Sequence, residues 1–303
     1  MRSSVPLLFP PGGFVTSYRT ICRAILRTSI GFIGLIYISG APARAQVLKP
    51  SEQDIVDTLD ERMDQLPPDA TEVKIGLGPV VTATLDDPGH QKIRPLPLIF
   101  FHYKEYLALD ENELRLNVLA ADSALASSGW RVGPMMEVNF GRRTYSANLS
   151  TPGRVNTSLE VGGFVSYSFG PARIRVRARQ DVIAGHKGAI AEFDVRSGIY
   201  QNGGLTIGIG LMSTWASKRY MTSYYAVTPA QSAASTLAVF APGAGFKDAS
   251  VSLIGEYKFS DHWSMAASMQ YVRLLGDAAN SPITQRRGSE DRINSGVFAL
   301  YKF

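Results

Sequence analysis

Residues 173–182 read Arg-Ile-Arg-Val-Arg-Ala-Arg-Gln-Asp-Val. In an extended chain successive side chains point to opposite faces, so Arg173, Arg175, Arg177 and Arg179 share one face and Ile174, Val176 and Ala178 the other. Guanidiniums at this density cannot enter an ordinary apolar sheet core, because each buried charge needs a partner. A soluble surface strand could read this way once. Here the alternation recurs in nearly every segment after residue 72, and the polar faces are rich in Ser, Gly, Asn and charge.

Residues 1–45 have to be set aside before the rest is weighed. Arg19, Arg23 and Arg27 precede a short apolar run from Ile30 to Ser39, and Ala43-Arg44-Ala45 has the small-x-small form of an export cleavage site. The run is shorter than the roughly 20 residues a spanning helix needs. A signal peptide is therefore expected over 1–45, with the cut before Gln46. Removing Arg2, Arg19, Arg23, Arg27 and Arg44 takes the 31 basic residues of the chain down to 26, against 26 acidic ones. The balanced remainder has no basic footprint for nucleic acid. Its only cysteine, Cys22, goes with the presequence, leaving no disulfide, thiolate nucleophile or cysteine metal site.

An exported chain with no long apolar run but many alternating segments has one membrane option, a closed barrel whose backbone groups pair between strands. Residues 46–71 lack the alternation of the later segments. Ser51 can cap a short acidic helix that Pro67-Pro68 ends, giving a periplasmic helix or tail ahead of a barrel over 72–303.

The fold expected is all-β, a transmembrane antiparallel up-and-down barrel of about twelve strands, within a range of about 10–14. The strands read as Val73–Leu85, Ile93–Tyr103, Tyr106–Leu109, Leu114–Ala120, Trp130–Phe140, Ser158–Phe169, Ala172–Ile183, Ala189–Tyr200, Leu205–Trp215, Ala249–Phe259, Trp263–Leu274 and Ile293–Phe303, with a first turn at Asp86-Asp87-Pro88-Gly89. Short turns at one end alternate with long loops at the other, and an even count returns both termini to the periplasm. Tyr103, Tyr106, Trp130, Phe169, Tyr200, Trp215, Phe259 and Trp263 sit at strand ends, where an aromatic girdle belongs. The last strand carries Tyr301 and ends on Phe303, which resembles the signal read by outer-membrane barrel assembly machinery. Outer-membrane lipid and that machinery are the first partners expected, in the outer membrane of a Gram-negative bacterium.

Enzyme chemistry finds little support. His90, His102, His186 and His262 are far apart, no zinc-binding spacing exists, and no Gly-x-Ser-x-Gly elbow occurs. No cofactor, metal site or catalytic residue is expected. His262 and Ser264 share a strand face, as in outer-membrane lipid hydrolases, but they lie at the periplasmic end, away from outer-leaflet lipid. A lumen charge ladder is expected instead. Glu192 and Asp194 lie on the strand after the arginines, and folding back at Gly185–Gly188 places Arg179 opposite Glu192 or Asp194 and Arg177 near Asp194. The long loop from Ala216 to Asp248 carries Tyr220, Tyr224, Tyr225, Pro229 and Gln231. It either folds inward as a constriction or faces outward to bind.

Gly78-Pro79-Val80-Val81, Arg94-Pro95-Leu96-Pro97-Leu98, Arg179-Gln180-Asp181-Val182 before Gly185-His186-Lys187-Gly188, the loop Val227 to Ser235, Ala244 to Asp248, Asp261 to Ser264 and Leu274 to Ile283 together resemble the MipA/OmpV family of outer-membrane proteins. The resemblance covers about residues 72–303. It implies an integral barrel that scaffolds peptidoglycan-processing enzymes by binding a lytic transglycosylase and a murein synthase. Other members of the family are linked to osmotic adaptation, adhesion and antibiotic entry. A scaffold is accordingly the expected role. A narrow channel for small polar solutes, with an Arg-lined lumen, is the first alternative and a barrel lipid hydrolase the second.

Overall fold

The computed structural model describes residues 71–84, 87–119, 124–142, 154–287 and 290–303. The chain divides into Met1–Gln46 and Val47–Phe303, and all described residues belong to the second unit. The signal peptide and the capped acidic helix lie outside the described residues.

Twelve antiparallel strands form one closed barrel in sequence order, with β1 (Thr71–Thr84) returning to β12 (Asp291–Lys302). Between them run β2 (Asp87–Tyr103), β3 (Leu107–Asp110), β4 (Glu113–Leu116), β5 (Trp130–Asn139), β6 (Ser158–Phe169), β7 (Ala172–Asp181), β8 (Ala189–Asn202), β9 (Leu205–Ala216), β10 (Gly245–Lys258) and β11 (Trp263–Leu274). A four-residue helix α1 (Ala124–Ser127) precedes β5, α2 (Lys218–Tyr225) and α3 (Pro229–Ala233) lie between β9 and β10, and α4 (Gly276–Asn280) and α5 (Pro282–Arg287) between β11 and β12. No helix among the described residues is long and apolar enough to cross a membrane; the strands do so.

Several boundaries differ from the sequence expectation, among them β4, which ends at Leu116 rather than Ala120, and β10, which begins at Gly245 rather than Ala249; two have a local cause. β2 begins at Asp87, because Thr84 already pairs with it, so Pro88-Gly89 belong to the strand rather than to the turn. β7 stops at Asp181 rather than Ile183, because the Asp181 carboxylate accepts the amides of Ile183, His186 and Lys187 at 3.0, 2.9 and 2.6 Å and closes the turn itself.

Burial follows the alternation in the sequence. Along β11 every second residue is exposed, from Trp263 to Arg273, while Ser264, Ala266, Ser268, Gln270, Val272 and Leu274 are buried. Exposed Leu77, Ile99, Val176, Leu211 and Leu253 form the outward apolar surface, which in a barrel of this kind meets lipid. Tyr103, Tyr106, Trp130, Phe169, Tyr200, Phe259 and Trp263 are exposed at the periplasmic ends of the strands, and Trp215 at the outer end opposite Phe246.

The interior is filled and divided by chemistry. Val80, Leu96, Leu98, Phe100, Ala266, Phe298 and Leu300 make an apolar cluster on the β1, β2, β11 and β12 side, with Phe140 packed against it. The wall from β3 to β8 is charged. Close strand approach depends on Gly133, where an added Cβ would lie 1.6 Å from the Leu116 carbonyl oxygen. Gly133→Ala is therefore expected to pry β4 from β5 and cost about 1–3 kcal/mol, read as a lowered midpoint in heat-modified gel mobility.

Candidate functional site

The β7 arginines all point inward and are buried, with Arg175 and Arg177 each only 1% exposed. The register sets Arg175 opposite Asp194, Arg177 opposite Glu192 and Arg179 opposite Ile190. The sequence expectation of Arg177 near Asp194 is two residues out of this register. The difference arises because β7 ends at Asp181 rather than Ile183, the Asp181 turn taking up the residues up to Gly188, so that Gln180 already pairs with Ala189. Arg175 Nε meets Asp194 at 2.9 Å, and Arg196 and Arg173 approach the same carboxylate at 3.2 and 3.8 Å. Arg177 joins Glu192 at 2.9 Å and Glu113 of β4 at 2.7 Å. Arg179 reaches furthest, pairing with Glu192 at 2.6 Å, Glu160 at 3.0 Å and Glu137 at 3.1 Å.

These contacts continue to both ends of the barrel. On the periplasmic side Arg115 joins Glu113 at 3.0 Å and also Asp110, whose other oxygen meets His102 Nε2 at 2.7 Å. On the outer side Glu160 meets His186 Nε2 at 2.8 Å. The result is one unbroken line of partners, all buried but the half-buried Glu192, from His102 through Asp110, Arg115, Glu113, Arg177, Glu192, Arg179 and Glu160 to His186. Six guanidiniums (Arg115, Arg173, Arg175, Arg177, Arg179, Arg196) stand among six carboxylates (Asp110, Glu113, Glu137, Glu160, Glu192, Asp194). Such a balance stiffens a lumen, whereas a selectivity filter presents unpaired charge to water.

The loop after β9 folds inward over this network. Tyr220, Tyr224 and Tyr225 on α2 are buried together with Met221, Val155, Ile190 and Leu274. Tyr220 stands edge-on to His186 with centroids 4.8 Å apart, and the Tyr224 hydroxyl donates to Asn139 Oδ1 at 3.4 Å. Burial pushes both phenols of Tyr220 and Tyr224 well above their ordinary pKa, so they stay neutral. Ser223 Oγ donates to the His186 carbonyl at 2.9 Å, Arg142 to the Tyr224 carbonyl at 2.7 Å and Ser281 Oγ to the Tyr225 carbonyl at 2.7 Å. Helix α2 is thus tied to three neighbouring loops. Pro229 and Gln231 have a local task at the start of α3: the Thr228 hydroxyl accepts from the Gln231 amide, and the Gln231 side chain accepts from the Thr228 amide.

The periplasmic end is open. A cavity of about 1020 Å3 is lined by Glu72, Lys74, Glu256, Lys258, His262, Ser264, Lys302 and Phe303 among others. Lys74 and Lys302 both pair with Glu72 at its rim. Tyr301 packs against Trp263, His262 and Phe303, and the Phe303 amide donates to the Val73 carbonyl at 3.0 Å, tying the last residue to β1. His262 Nδ1 lies 2.9 Å from the Lys302 carbonyl and its ring stacks on Tyr301, whereas Ser264 is buried inside the wall. The two groups are not joined as a nucleophile and base would be. Among the described residues no cluster of three or more His, Cys, Asp or Glu has the arrangement of a metal site. Sequence reasoning missed His102 and His186 as members of the network. An Asp-closed turn around a lone histidine was the only signal available, and Asp181 and His186 supply it.

A family model described as MltA-interacting protein MipA matches residues 75–303. The MltA-interacting proteins of Escherichia coli (strain K12) and Shigella flexneri are each 31% identical over 104 residues, which is 34% of this chain and 40% of the relative. The aligned part thus spans less than half the length of these curated relatives. Among solved structures, the NanC porin has a TM-score of 0.36 at 12% identity, covering 77% of this chain and 98% of that one. An outer membrane channel from Pseudomonas putida F1 has a TM-score of 0.39 at 11% identity, covering 77% and 96%. With a match that runs from within β1 to the terminal Phe303, this outer-membrane barrel belongs to the MltA-interacting protein MipA family.

Proposed function

We propose that the chain is a non-enzymatic scaffold of the outer membrane whose periplasmic face holds peptidoglycan-processing enzymes, a lytic transglycosylase first among them. The observation that carries this reading is the contrast between the two ends. The outer end and the lumen are filled by paired charge and by α2, while the periplasmic end opens in a cavity of about 1020 Å3 with charged and aromatic walls. The family description, an MltA-interacting protein, points the same way.

The test is retention of a lytic transglycosylase from periplasmic extract by the full chain immobilised in mild detergent. Glu256→Lys with Lys258→Glu, which exchanges the two charges at the cavity without changing its net charge, is expected to abolish retention, and Arg273→Glu at the outer rim to leave it unchanged. Equal retention by both variants, or none by the parent chain, would remove the reading. Deleting residues 46–70 asks in the same assay whether the segment ahead of the barrel contributes. The breadth of the periplasmic cavity favours a second reading, a conduit for small polar solutes, which is separable by conductance.

A further inference from the structure

Charge at the outer end of the barrel is one-sided. The connections from β5 to β6 (140–157), β7 to β8 (182–188) and β9 to β10 (217–244) hold six Lys and Arg, at positions Arg142, Arg143, Arg154, Lys187, Lys218 and Arg219, and no Asp or Glu. The connection from β11 to β12 (275–290) is balanced, with two residues of each sign. The acids closest in the chain to the basic connections are engaged already: Glu160 by Arg179 and His186, Asp181 by the amides of its own turn, and Asp248 by Lys247. Arg142 is held as well, through the Tyr224 carbonyl. Arg154, Lys187, Lys218 and Arg219 are exposed.

The fold draws these three connections together. An added Cβ at Gly185 would lie 2.6 Å from the Thr157 carbonyl oxygen, and one at Gly188 would lie 2.4 Å from the Tyr220 amide nitrogen. The β7–β8 turn is thus wedged between the end of one long loop and the start of α2. Each exposed cation rises from fixed backbone. Beside Arg154, Val155 and Arg142 exchange two backbone bonds of 3.0 and 2.9 Å. The Lys187 amide donates to Asp181 at 2.6 Å, and Ser217, next to Lys218, accepts the Ala189 amide on its hydroxyl at 2.8 Å. Lys218 and Arg219 lie off the face of α2 that buries Tyr220, Met221, Tyr224 and Tyr225.

The barrel surface beside these cations is apolar. Val182 and Ile183, which lead out of β7, are each 56% exposed, and Trp215 and Phe246 face one another across β9 and β10 with both rings exposed. Aromatic rings at strand ends mark the headgroup level. Cations at the outer edge of such a rim stand where an anionic lipid carries its phosphate while its acyl chains run down the wall.

We propose that Arg154, Lys187, Lys218 and Arg219 form a site for the phosphates of a phosphorylated glycolipid of the outer leaflet. Ammonium and guanidinium groups both bind phosphate through charge-assisted hydrogen bonds, and a phosphate among them relieves the repulsion that the missing acids leave uncompensated. A soluble anion would meet the same charge, but only a lipid also uses the apolar rim. The site lies at the opposite end of the barrel from the periplasmic cavity and is independent of the scaffold reading.

The full chain in dodecyl maltoside micelles, titrated with bisphosphorylated lipid A and with lipid A stripped of its phosphates, tests this by native mass spectrometry. The parent chain should prefer the bisphosphorylated form. Lys187→Gln, Lys218→Gln and Arg219→Gln combined should weaken that binding about a hundredfold, at about fivefold for each basic residue beside an anionic lipid. Arg273→Gln, on the balanced side of the rim, should leave it unchanged, with heat-modified gel mobility confirming the folded barrel in both. Should the combined variant not fold, the comparison of the two lipids on the parent chain still decides. Equal affinity for the two forms of lipid A, or an equal loss in Arg273→Gln, would overturn the proposal. So would tighter binding of phosphatidylglycerol than of lipid A, or displacement of lipid A by heparin at a lower concentration than the lipid itself, since the patch would then serve a different lipid or a soluble polyanion.

Discussion

Arg177→Met is expected to lower the unfolding free energy of the barrel by about 3–5 kcal/mol, the cost of breaking a buried ion pair by removing one partner. Arg177 holds Glu113 and Glu192 at once, and its loss leaves Glu113 to Arg115 alone and Glu192 to Arg179 alone, one cation short in a part of the lumen where Arg177 itself was 1% exposed. Urea unfolding in lipid vesicles reads the effect. The deficit belongs to the excess of buried negative charge and not to the missing side-chain volume, so Glu113→Gln introduced alongside Arg177→Met should recover part of it. If the double variant were no more stable than the single one, the network would contribute packing alone.

Tyr220→Ala with Tyr224→Ala should convert a silent barrel into a conducting one. The two rings lie 4.5 Å apart, and together with Tyr225 they fill the outer end of the lumen next to His186. Truncation of large buried aromatics costs about 3–5 kcal/mol each. The bonds that tie α2 through its carbonyls to Arg142 and Ser281 remain, so the double variant should lose the plug's core without releasing its backbone. Planar bilayers should show no stable steps for the parent chain and discrete steps for the variant. Steady conductance by the parent chain would favour the conduit over the scaffold.

The strand plan was legible because barrel strands must alternate, and in this chain few residues break the alternation. Arg173 to Arg179 and the run from Trp263 to Leu274 announce both faces from side-chain type alone. The inward fold of the Ala216–Asp248 loop was not legible. Tyrosines suit a wall or a ligand equally, and the bonds that decide between them come from Arg142, Ser223 and Ser281, two of them distant in sequence. The same holds for Arg177 and Glu113, which meet across 64 residues. Local pattern specifies which face a charge takes, and only closure of the wall specifies its partner.

The charge register also bears on assembly. A slip of one residue between β7 and β8 would turn one strand's charges toward lipid, which a barrel tolerates poorly near its midplane. A slip of two would keep every charge inside, and the apolar outer surface would not sense it. The facing charges would not sense it either: the native register already sets Arg173 opposite Arg196, and a slip of two in either direction still leaves two arginines opposite carboxylates. The even-numbered errors are therefore left to the turn, where the Asp181 carboxylate, by taking the amides of Ile183, His186 and Lys187, counts the residues between the strands.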